Sequence, residues 1–101
     1  MKTNPEIIAE LTLFTTDHDG RNAPIPKGEY RGVLGVATGN YSARFDVNED
    51  SGFQLGTTAK LGIQFLDPVS ALLHFPVDSE FTIWEGGAIG KGKVLQVLIE
   101  A

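Results

Sequence analysis

Between Thr58 and Leu66 the chain alternates, with Ala59, Leu61, Ile63 and Phe65 on one parity and Thr58, Lys60, Gly62 and Gln64 on the other. A period of two sends successive side chains to opposite faces, so this stretch reads as a half-buried β-strand. Other short runs repeat the theme. Between Glu6 and Phe14, residues Ala9, Leu11 and Leu13 share one face while Glu10 and Thr12 share the other. Tyr30–Ala37 and Tyr41–Val47 flank Thr38-Gly39-Asn40, a turn whose glycine and asparagine tolerate positive φ. Phe81–Trp84 and Val94–Ile99 flank a glycine-rich stretch and form a last hairpin. Thr16–Gly28 is polar, contains two prolines and reads as an extended loop. Asp67-Pro68 suits the start of one helical turn through Leu72, since Asp caps and Pro fits the first helical position. Six short strands with no sustained helical period imply an all-β sandwich or barrel. The expected interior set is Leu11, Leu13, Leu61, Ile63, Phe65, Ile83, Val94 and Leu98.

At 101 residues the chain is long enough for one core and too short for two. Residues 1–5 read as an N-terminal tail and 6–101 as a single domain. With no cysteine, the fold rests on packing, without disulfides or a thiolate metal site. No run approaches the ~20 apolar residues of a membrane span, and the first residues lack the apolar core of a signal peptide, so a cytoplasmic location is expected. Thirteen acidic against eight basic residues give a formal charge of −5, which disfavours general nucleic-acid binding.

The stretch Trp84-Glu85-Gly86-Gly87-Ala88-Ile89-Gly90-Lys91-Gly92-Lys93-Val94 invites a phosphate-loop reading. Such a loop needs four residues between glycine and Gly-Lys, then Ser or Thr to ligate magnesium. Here the spacing is one short, Gly92 replaces the hydroxyl, and the following residues are β-formers where a helix is required. No nucleotide is expected, and no other cofactor. Asp17-His18-Asp19 carries metal-competent groups, but neighbours in one loop rarely converge on an ion and His74 is remote in sequence. Asp46, Glu49 and Asp50 sit among turn formers, without the desolvation that acid–base work needs. No catalytic or metal-ligating residue is assigned.

The order of signals "AELTLF", "DGRNAPIPKGEYR", "GTTAKLGIQFLDP" and "FTIWEGGAIGKGKVLQVL" resembles the third, C-terminal β-barrel domain of elongation factor Tu, over roughly residues 8 to 100. The resemblance implies a six-stranded antiparallel β-barrel without a catalytic centre, acting as a binding surface toward tRNA and protein. Arg21 and Arg31 match its Gly-Arg and Tyr-Arg positions, and Glu85 and Gly86 match the Glu-Gly of its last hairpin. Three departures stand out. Glu29 is inserted in Lys27-Gly28-Glu29-Tyr30-Arg31, the last hairpin is one residue shorter, and Asp67 precedes Pro68 where some members carry lysine. A carboxylate there repels phosphate.

The function expected is therefore a non-catalytic binding module: a protein-interaction, regulatory or immunity protein with a link to translation. An RNA binder using Arg21, Arg31, Lys91 and Lys93 is the first alternative and a small enzyme the second. The expected binding residues are Arg21, Lys27, Tyr30, Arg31, Glu85, Gly86, Gly87 and Lys91, on the Gly20–Arg31 segment and the last hairpin. The partner expected is a protein, with tRNA disfavoured by the acidic balance and Asp67, and with neither nucleotide nor membrane.

Overall fold

The computed structural model describes residues 5–15 and 23–98. Six strands, β1 (Ile7–Leu13), β2 (Gly28–Val36), β3 (Gly39–Val47), β4 (Thr58–Phe65), β5 (Glu80–Trp84) and β6 (Ala88–Val97), close into a barrel in the order β1-β4-β3-β2-β5-β6. All six contacts between neighbouring strands are antiparallel. Closure removes the free sheet edges that a short all-β chain otherwise exposes.

Parity decides what lies inside. On β1, Ile7, Ala9, Leu11 and Leu13 are buried and Glu10 is exposed. Leu34, Phe45, Ile63, Phe65, Phe81, Ile83 and Val94 join them in the interior from the other strands. The two ends are plugged from outside the sheet. At one, Ile25 and Phe53 exchange backbone hydrogen bonds of 3.0 and 2.7 Å, which places a hydrophobic cap beyond the end of β3. Ile25 belongs to the segment expected to be plain loop, yet it is buried. At the other end, α1 (Pro68–Ala71) and a 3-10 turn (Leu72–His74) deliver Phe75, whose ring meets Tyr41, Phe65 and Phe81 at centroid distances of 5.7, 4.8 and 5.6 Å. Asp67 does cap that helical turn, accepting from the Ser70 backbone N–H and hydroxyl.

Two boundaries and one burial differ from the sequence reading. The β2–β3 turn is Ala37-Thr38, so Gly39 and Asn40 are already strand. Strand β6 starts at Ala88, six residues before the expected Val94, because Gly90 and Gly92 lie within it and only Glu85–Gly87 turn the chain. Gly86 supplies the positive φ there, +69°. Leu98, expected inside, is 44% exposed. Opposite β1, the partners of Ile8 and Ala9 are Gln96 and Val94, which leaves Leu95 as a bulge residue. One extra residue reverses the parity, so beyond the bulge Val97 stands opposite Ile7 and Leu98 turns outward.

A buried carboxylate secures the seam where β1 begins. Glu6 is 6% exposed, and its Oε1 accepts the Phe65 N–H at 2.6 Å. Its own backbone N–H donates to the Ile63 carbonyl and its carbonyl accepts from Leu98, so this residue joins β1, β4 and the end of β6.

Candidate interaction surface

The outward parity of β2 carries Glu29, Arg31, Val33 and Gly35, and register places each beside a residue of β3: Asp46, Arg44, Ser42 and Asn40 respectively. Glu29 bridges the two arginines. Its Oε2 accepts from Arg31 Nε at 2.7 Å and its Oε1 from Arg44 Nη1 at 3.4 Å, while Arg44 Nε donates to Gln64 Oε1 at 2.9 Å. The Arg31 hydrogen bond, helped by the charges of Arg31 and Arg44, holds the Glu29 carboxyl below the usual glutamate range. The pairing favours the ionised form. Its contribution is therefore present above the ordinary glutamate pKa and fades as pH falls through the lowered value. In an NMR pH titration, Arg31→Ala is expected to move the Glu29 midpoint upward; an unchanged midpoint would show that the hydrogen bond is not formed in solution.

Two segments that lie far apart in sequence meet at Tyr30. Its ring packs half-buried on Phe45, centroids 5.1 Å apart, and its hydroxyl donates to Glu85 Oε2 at 3.2 Å. Tyr30 thus ties the start of β2 to the turn Glu85-Gly86-Gly87 from the inward parity of the strand, while Arg31 lies on the opposite face. Lys27 pairs with Asp50 at 2.7 Å, both side chains well exposed. Lys91 is exposed on β6, opposite Thr82 and Thr12, on the far side of Trp84 from Arg31. Arg21 and the Asp17-His18-Asp19 triplet lie outside the described residues.

Other groups have local partners. His74 Nδ1 lies 2.9 Å from Thr38 Oγ1, and the ring stacks on Tyr41 at 5.2 Å. Among the described residues no three His, Cys, Asp or Glu side chains gather as a metal site, and no helix is long and apolar enough to cross a membrane.

The sequence reading missed Trp84, Val33, Arg44 and Leu66 as surface residues. Parity offers a signal for two of them, since Ile83 inside requires Trp84 outside and Phe65 inside requires Leu66 outside. The indole sits against Gly35, whose missing Cβ would stand 3.1 Å from Trp84 Nε1, so the glycine makes room for it. Trp84, Gly35, Asn40, Thr82 and Lys91 line a shallow depression on this side of the barrel.

No protein-family model matches the chain, and no curated protein matches it in sequence. What the molecule itself defines is a class: a small, closed, six-stranded, all-antiparallel β-barrel. Its exterior carries a glutamate-bridged arginine pair, and its last hairpin is tied to β2 through Tyr30 and Glu85.

Proposed function

We infer that this barrel is a non-catalytic binding module that engages a protein partner in the cytoplasm, in the manner of the third domain of elongation factor Tu, which its motif order resembles. It serves as a regulatory or immunity protein with a link to translation. The observation that carries the reading is the Tyr30–Glu85 hydrogen bond. It joins the Lys27–Arg31 segment to the Glu85–Gly87 turn and so brings two pieces that are far apart in sequence together, with Arg31 on the outer face of the same strand. Two arginines and an aromatic beside a backbone-rich turn supply the residue types that anchor protein interfaces. Asp67 and the overall charge of −5 weigh against a phosphate backbone as the partner.

Affinity capture from the native lysate tests this. Tagged wild-type protein is expected to retain a protein that survives moderate salt, and Arg31→Ala is expected to weaken the complex without lowering the melting temperature. Retention of tRNA in place of protein, with a steep loss between low and moderate salt, would reject the reading in favour of an RNA binder.

A further inference from the structure

Register aligns a second feature on the exterior. Trp84 stands opposite Val33 and Val33 opposite Ser42, while the Leu66 N–H donates to the Ser42 carbonyl at 3.0 Å. These four residues form one row across β5, β2, β3 and the end of β4. All point outward, since their chain neighbours Ile83, Leu34, Ala43 and Phe65 are buried. Leu66 is 83% exposed, the most exposed large apolar side chain among the described residues. The adjacent outward row is Arg31, Arg44 and Gln64.

Between the rows lies a depression of about 540 Å³ lined by Arg31, Val33, Ser42, Arg44 and Leu66. Two guanidinium groups border it and no carboxylate does. Glu29 sits outside the lining and shares its single negative charge between both arginines. Both guanidinium groups border the apolar floor, with Glu29 and Asp46 one register pair further along the same face.

We propose that this depression docks an extended segment of a partner protein that presents one carboxylate next to a bulky apolar side chain. The apolar group covers Val33 and Leu66, and the carboxylate joins the Arg31–Arg44 fork. Glu29 already shows that the fork accepts a carboxylate, at 2.7 Å from Arg31. Arg44 is held in place by Gln64, which lowers the ordering cost of binding. A lining with two guanidinium groups and no carboxylate matches a single carboxylate; a nucleic-acid backbone asks for many cations. The proposal rests on the reading of the chain as a protein-binding module and adds the site and the chemistry of the partner segment.

The test is selection from a displayed library of random peptides on the immobilised 101-residue chain, followed by fluorescence-anisotropy affinities of the selected peptides. Selected sequences are expected to pair Asp or Glu with Leu, Ile or an aromatic. Leu66→Ser and Arg44→Ala are each expected to weaken them at least about tenfold, the scale of an interface anchor. The double variant Arg31→Glu/Arg44→Glu should switch the enriched residues from acidic to basic. Circular dichroism confirms that each variant is folded.

An empty selection, or peptides without carboxylates, would overturn the proposal. So would peptides indifferent to Leu66→Ser and Arg44→Ala but weakened by Lys27→Ala or Lys91→Ala, an outcome that leaves the binding-module reading standing with its site elsewhere. A concentration-dependent dimer in sedimentation, abolished by Leu66→Ser, would assign the face to a second copy and overturn it as well. Binding of RNA with no peptide selected would reject both this proposal and the broader reading.

Discussion

Phe75→Ala is expected to cost about 3–5 kcal/mol, the usual range for removing a fully buried phenylalanine. The ring has no exposed surface and lies against Tyr41, Phe65 and Phe81, so its loss opens a cavity bounded by three aromatics that β3, β4 and β5 hold in place. Those backbones are fixed by the barrel ladders, so the walls cannot collapse inward to fill the space. A domain of this size has roughly 5–15 kcal/mol of stability, so the variant sits near the edge of folding. Urea denaturation measures the effect as a lower midpoint at unchanged slope. Leu73→Ala is the control. That side chain is two residues away and 75% exposed, and its removal is expected to change stability by no more than about 0.5 kcal/mol. Equal losses in the two variants would contradict the placement of Phe75 as the plug of that end.

Gly92→Ala is expected to cost about 1–3 kcal/mol by overpacking, although alanine is ordinarily the better residue in a regular element. Gly92 stands opposite both Leu11 and Phe81, on the inward face of β6. A Cβ there would lie 2.7 Å from Leu11 Cδ2 and would run into the Phe81 ring. The glycine is therefore the space that Phe81 fills. A double-mutant cycle with Phe81→Leu separates this steric cause from a general dislike of substitution in β6. The pair should be less destabilised than the sum of its singles by at least about 0.5 kcal/mol, because the shorter side chain frees the volume that the new methyl occupies. Strict additivity would rule the steric account out.

Both effects show where the sequence reading reached its limit. "GGAIGKGK" looks like one long turn when scanned for glycine, and the near-match to a phosphate loop encourages that view. In the structure the first two glycines turn the chain. Gly90 and Gly92 are strand residues chosen for what faces them: a Cβ on Gly90 would sit 2.5 Å from the Thr12 carbonyl oxygen. Glycine for conformation and glycine for clearance look alike in sequence. The partners that distinguish them lie about 80 residues away on β1, and next door on β5.

The arginine pair has the same character. The sequence marks Arg31 through its closeness to Arg21 and Lys27 and its match to a Tyr-Arg position, and it marks Glu29 as a departure from the resemblance. Their arrangement depends on Arg44 and Gln64, which enter through the β2–β3 and β3–β4 registers. Glu29 is the carboxylate that bridges that pair. Tyr30 and Glu85 were named on separate grounds, and the hydrogen bond between them spans 55 positions.

By itself the sequence determined where strands run and, through a period of two, the buried face of β1, β4, β5 and the middle of β6: Leu11, Leu13, Ile63, Phe65, Ile83 and Val94 are inside because side chains alternate along an extended chain. It determined that the helical turn starts at Asp67-Pro68, since a cap acts within three residues. The tertiary structure decided the neighbour order β1-β4-β3-β2-β5-β6, the bulge at Leu95 that turns Leu98 outward, the burial of Glu6, and the exterior rows that bring Trp84, Val33, Leu66 and two arginines together. Parity is a local property of one strand. Register between strands far apart in the chain is set by how six twisted strands close on a common core, and no short stretch of sequence contains that condition.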